Sequence, residues 1–271
     1  MSTAQLSEHR PPMRSVADSG VPRISEFATD VREAISQYFS RENISPRGNA
    51  EMVVKTIVML VVYIGCYVAI LSGRLPLPVM WLLCFVMGVA LAGIGFSVCH
   101  DALHGAYLRS RRANRVLGYV FDGLGANSYM WQITHNRLHH VYTNVHGYDD
   151  DVDVSSLIRL SPHAEHRPMH RFQHIYAFVL YSLSTLFWVF VKDYGYFFRK
   201  QLGPYRNMKH PATAWWSLIV GKLLYYVMMI IVPLLVLDVT WWQFAIGFVT
   251  MHLVGGTILG VIFQLAHVVG P

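Results

Sequence analysis

Five histidines in this chain carry the spacing of metal ligands. His100 and His104 stand four residues apart in HDALHG; His135 and His139 repeat the interval in HNRLHH, with His140 directly after. On a helix, side chains four residues apart share one face, so each pair can turn both imidazoles toward one ion. His140 falls about 100° further round such a helix and can face a different ion. Five imidazoles from two helices can clasp two adjacent metals, and are too many for one. Imidazole suits Fe, Zn, Cu and Ni, so spacing alone leaves the metal open. A lone pair at this interval is usually an ordinary surface pair. Two clusters at the edge of apolar segments point to a metal site.

The elements that must hold these histidines are read from composition and hydropathy. Of the 271 residues, 54% are hydrophobic and only 14% charged, against about 25% charged in a soluble domain. The mean hydropathy is +0.35. Both values indicate a membrane protein. The run 56–73 is apolar for about 18 residues, roughly 27 Å of helix and close to a bilayer core. Further spans are expected at 79–99, 217–237 and 241–263. His100 then lies where the second span leaves the bilayer, and that helix can continue as a rigid stalk.

Arg41, Arg47 and Lys55 place the N-terminus in the cytoplasm. Two spans return the chain there, which puts both histidine clusters in an Arg-rich cytoplasmic loop. A fifth apolar stretch, 175–191, is rich in aromatics. If it crossed the bilayer, the basic stretch 192–210 would lie outside, so it is read as interfacial or as dipping in and back. The expected fold is therefore all-α and polytopic. It has four transmembrane helices, an interfacial helical segment, and a cytoplasmic helical cap carrying the histidines.

Residues 1–45 are polar and Ser/Pro-rich and are expected to be a disordered tail, with no apolar leader segment; residues 46–271 form the membrane domain. Cys66, Cys84 and Cys99 all lie in apolar segments, an odd count that argues against a disulfide framework. The charge of +6 fits cytoplasmic loops facing anionic lipid better than nucleic-acid binding.

HDALHG resembles the first histidine box of membrane fatty-acid desaturases. WQITHNRLHHVYTN at 131–144, followed by GYDDDVD, resembles the second box of the front-end branch and its bacterial acyl-CoA or acyl-lipid relatives. The resemblance runs from about Val98 to His267. It implies a di-iron enzyme that uses O₂ and two electrons to remove two hydrogens from an acyl chain. His100, His104, His135, His139 and His140 would be iron ligands. His267, in FQLAH after the last span, matches the place of one further ligand in a related subgroup. Asp101 and Asn136 are candidates for supporting contacts to the ligands.

The same family has a third box, H-x-x-H-H or Q-x-x-H-H, which is not found in residues 1–271. The chain is therefore expected to be the N-terminal major part of a longer desaturase, and inactive as it stands. The substrate would be CoA- or lipid-linked. Electrons would come from a separate ferredoxin or cytochrome b5, because the tail shows no cytochrome b5-like module. A bacterial inner membrane is favoured, or the endoplasmic reticulum in a eukaryote.

Other readings remain beside this one. A di-iron hydroxylase or ketolase shares the H-x-x-x-H-H pattern. A non-catalytic relative fits a missing box. A metal transporter would place ligating residues inside the spans, which are almost purely apolar here. The acids at 149–151 with Asp153 read as a solvated turn or cap rather than as contacts to the site. His163, His166, His170 and His174 read as interfacial polar surface, or as contacts to a phosphate-bearing head group or CoA. His252, roughly 22 Å of helix from His267, is expected to pair within the bundle.

Overall fold

The computed structural model describes residues 26–149, 151–152 and 155–267. The chain divides into two compact units, 1–46 and 47–271. In the first, α1 (Glu26–Arg41) carries Phe27, Val31, Ile35 and Tyr38 along one face, the stripe of an amphipathic helix. Within the stretch expected to be a polar tail, these residues are helical. Its average composition is polar, but its apolar residues recur with helical period.

The second unit begins with α2 (Ala50–Leu71), opened by Asn49, whose side chain accepts from the amide of Met52 at 3.0 Å. Gly73, at φ 65°, lets the chain leave the helix, and the proline-bearing turn that follows starts α3 (Leu77–Leu103). Next come α4 (Arg111–Gly118), capped by Ser110, and α5 (128–139), capped by Asn127. Then α6 (Pro168–Ser182) meets α7 (Ser184–Phe197) at a 55° bend. A short hairpin pairs β1 (Gln201–Leu202) with β2 (Tyr205–Arg206), Gln201 opposite Arg206. Last are α8 (Ala212–Val236) and α9 (Trp241–His267).

Four of these helices, α2, α3, α8 and α9, are long and apolar enough to cross a bilayer. The protein is thus an all-α, polytopic membrane protein. Val54, Ile57, Val61 and Ile64 on α2, with Val220, Leu223 and Leu224 on α8, remain exposed in the isolated chain, as lipid-facing residues do. The fifth apolar stretch is not one straight helix: the α6–α7 bend breaks it at Leu183.

Small residues set the closest approaches. A Cβ at Gly88 of α3 would stand 2.5 Å from the Met251 carbonyl of α9, and one at Gly260 would stand 2.6 Å from Tyr181 Cβ of α6. The G-x-x-x-G of α9, Gly256 to Gly260, therefore seats the end of α6 directly on the α9 backbone. The core under the histidines is built from Ile94, Val98, Cys99 and Trp131, all buried.

Candidate metal centre

Each histidine cluster grows out of a distorted helix. In α3 a π turn, Gly95–Cys99, immediately precedes His100. In α5 the segment Gln132–His139 is π-helical throughout. A π turn closes i→i+5 bonds, and the His140 amide donates to the His135 carbonyl at 3.0 Å. Positions four and five ahead then flank the starting residue. His140 is consequently not turned away, as an α-helix would turn it. Its ring centroid lies 4.7 Å from that of His135 and 4.8 Å from that of His104.

All five histidines converge. Their ring centroids stand 4.4 Å apart for His100 and His104, 5.3 Å for His100 and His135, and 5.1 Å for His135 and His139. The Nε2 atoms of His100 and His104 are 3.3 Å apart. Two overlapping sets offer ligand atoms within 4.8 Å of one another: His100, His104 and His135, and His135, His139 and Asp151. Trp131 stacks on His135 at 4.4 Å and meets His100 and His104 in T-shaped contacts at 5.6 and 5.4 Å.

Carboxylates hold three of the rings from behind. His100 Nδ1 lies 3.0 Å from Asp101 Oδ1, His135 Nδ1 lies 3.2 Å from Asp151 Oδ2, and His139 Nδ1 lies 2.9 Å from Asp149 Oδ2. Such contacts fix the Nδ1–H tautomer and leave Nε2 as the lone-pair donor to a metal. Burial, together with neighbouring imidazoles, holds His104 down at about 4. Burial also brings His135 to about 4, against the pull of Asp151. Both are therefore neutral at pH 7, the form a metal takes up. For His139 burial again favours the neutral ring, but Asp149 outweighs it and raises the pKa. Burial would raise Asp151, yet the hydrogen bond from His135 and the charge of Lys192 bring it below the usual carboxylate range.

The donor set fits a first-row divalent metal. It consists of imidazoles, most of them backed by carboxylates, in a half-dry site walled by tryptophan. Asn136 lies on α5 directly after His135. Its Nδ2 donates to the Leu103 carbonyl at 3.0 Å and ties α5 to the end of α3. The side chain of His267 lies outside the described residues.

The acids after the second cluster correct their reading as a solvated turn. Asp149 is 0% exposed and also accepts from the amides of Asn144 and Asp151, so one carboxylate organises the turn and orients His139. The turn folds back because Asn144 and Gly147 take positive φ, 62° and 82°. That Asn/Gly pair before an acidic run is the signal that spacing along a helix missed. Asp150 and Asp153 lie outside the described residues.

His163, His166, His170 and His174 join no ligating group among the described residues; His170 Nε2 meets the Ser156 carbonyl at 3.1 Å. His252 is buried and pairs within the bundle, Nε2 to Tyr225 at 2.6 Å and Nδ1 to Thr185 at 3.1 Å.

A cavity of about 320 Å³ opens beside the histidines. His135, Asp151 and Trp131 form one part of its wall; Leu157, Leu180 and Phe187 line it further off, and Leu259 and Phe263 of α9 complete it. Its surface is mainly apolar.

The family model described as fatty acid desaturase matches residues 33–270. A sn-1 linoleoyl-lipid 6-desaturase of Arthrospira platensis is 30% identical over 248 residues, 90% of this chain and 66% of that protein. The protein of the same name from Synechocystis is 33% identical over 245 residues, 89% of this chain and 67% of its own length. An acyl-lipid (8-3)-desaturase of Physcomitrium patens is 30% identical over 246 residues, but only 51% of that protein is covered. The chain thus spans between half and two thirds of these relatives. No solved structure matches it.

Proposed function

Because the chain belongs to the fatty acid desaturase family, we propose that it supplies the metal centre and acyl cavity of an O₂-dependent fatty-acyl desaturase. His100, His104, His135, His139 and His140 would hold two irons, with His267 as a further ligand. Iron bound there supplies the two-electron, O₂-dependent oxidation that removes two hydrogens from an acyl chain. The observation that carries this reading is the convergence of the five rings with carboxylates on the outer nitrogens of three.

The chain's own residues do the positioning. Asp101, Asp149 and Asp151 set the tautomers. Trp131 shields His100, His104 and His135 from water. The cavity receives the acyl chain and guides it past His135, its mainly apolar wall of leucines and phenylalanines favouring a hydrocarbon chain over water. Lipid-linked substrate is favoured over CoA, since the named relatives act on acyl lipids. The exposed Arg111, Arg112 and Arg115 of α4 offer a basic surface for an acidic electron carrier of ferredoxin or cytochrome b5 type. By the positive-inside rule the centre faces the cytoplasm.

The test is expression of the complete open reading frame that encodes this chain in a host lacking the product, with analysis of membrane acyl chains. A new double bond that requires O₂ and disappears in His139→Ala supports the assignment. Product undiminished in that variant, or a hydroxylated product in its place, overturns it.

A further inference from the structure

Helix α7 has two working faces. Its front carries Phe187, Trp188 and Lys192 into the cavity. Its rear carries Val189 and Asp193, each 2% exposed. Between them Trp188–Lys192 is a π turn, which takes main-chain carbonyls out of the ordinary i→i+4 ladder.

Lys222, in the middle of the apolar α8 and itself buried, sits against that turn. Its Nζ lies 2.8 Å from Asp193 Oδ2 and donates to the carbonyls of Gly125 at 2.7 Å and Val189 at 2.9 Å. Asp193 Oδ1 in turn accepts the Trp188 indole N–H at 2.9 Å. On the front face, the Lys192 ammonium lies over the Trp188 ring at 4.6 Å and 3.9 Å from Asp151, the carboxylate that holds His135.

A charge in a membrane span is expensive and is retained where it has a task. Here Lys222 reaches the π turn at the Val189 carbonyl and the residue that fixes Trp188 at Asp193, while its bond to the Gly125 carbonyl ties in the turn before α5. We propose that Lys222 is a positioning residue: through Asp193 and the carbonyls of the π turn it fixes Trp188 as a wall of the acyl cavity. The inference rests on the reading of that cavity as the acyl-chain path.

The test is ¹⁹F NMR of the protein labelled with 5-fluorotryptophan in lipid nanodiscs, the Trp188 resonance being assigned by its loss in Trp188→Phe. Oleate is the probe. In the wild-type protein oleate shifts the Trp188 resonance. In Lys222→Met that resonance is displaced and its response to oleate is lost, while Trp81 and Trp241, at the far ends of α3 and α9, are unmoved. Removing Lys222 alone leaves Asp193 buried and unpaired, which can unfold the chain. The double variant Lys222→Met/Asp193→Asn carries no stranded charge and keeps an acceptor for the indole, and it gives the same displacement. A lysine that served stability alone would lower the melting temperature and leave the Trp188 resonance in place. A Trp188 resonance identical to wild type in both variants overturns the proposal. Oleate without effect on Trp188 in the wild-type protein overturns the cavity reading instead, and is seen before any lysine variant is made.

Discussion

The Nδ1 atom of His139 lies 2.9 Å from Oδ2 of Asp149, a carboxylate with no solvent exposure. Asp149 also accepts from two backbone amides, so it is locked in place before it orients the ring. Asp149→Asn removes the charge and can present an amide N–H to Nδ1. Iron affinity is expected to fall by about 10–100-fold, the usual cost of losing a carboxylate behind a ligand histidine. Metal titration followed by optical or Mössbauer spectroscopy reads this. Unchanged affinity would show that Asp149 only shapes the turn.

His252 belongs to neither group of candidate ligands. It is buried between Tyr225 and Thr185, and His252→Leu strands the Tyr225 hydroxyl, whereas Thr185 Oγ1 keeps its bond to the carbonyl of residue 252. The expected cost is about 1–3 kcal/mol of stability, seen as a lower melting temperature in detergent, with iron content unchanged. Loss of iron at full stability would place His252 in the centre.

Asp122 gives a pH-dependent prediction away from the histidines. Its carboxyl is buried, and burial pushes its pKa from 3.8 up to about 6. Between those values the folded state binds more protons than the unfolded state, so stability falls as pH rises through that window. The difference of about two pH units corresponds to about 3 kcal/mol that wild type lacks at pH 7. Asp122→Asn keeps the Oδ1 acceptor for Asn127 and Ser128. Its melting temperature is expected above wild type at pH 7.5, with the gap closing toward pH 4. An equal gap at both values would contradict the burial argument.

Gly260 tests the helix contact that closes the cavity. A Cβ there meets Tyr181 Cβ at 2.6 Å, and both residues line the cavity. Gly260→Val must push α6 off α9, at about 1–3 kcal/mol for overpacking. A lower melting temperature together with weaker oleate binding is expected; a wild-type melt would mean that α6 is not seated on α9.

The spans and the convergence of the clusters were legible because apolar runs and i,i+4 spacing are local properties. The structure moves the helix ends by a few residues, to Ala50–Leu71 and Leu77–Leu103, as caps and stalks extend past the apolar runs. The placement of His140 was not legible. An α-helical wheel turns it aside, and only the π segment Gln132–His139 returns it to His135. Asp149 and Asp151 were hidden for a different reason: they reach the rings through a turn that sequence spacing does not measure. Lys222 was overlooked because one charge barely lowers the hydropathy of a 25-residue span. The stripe on α1 was masked by averaging over a polar tail.

The most direct measurement is the metal content of the purified protein, by mass spectrometry, for wild type and for single alanine variants at His104, His135 and His163. The convergent site predicts iron in the wild-type protein, its loss in His104→Ala and His135→Ala, and full retention in His163→Ala, a residue outside the ligating groups. Iron retained at the wild-type level in His135→Ala, the histidine shared by both sets, would contradict the account.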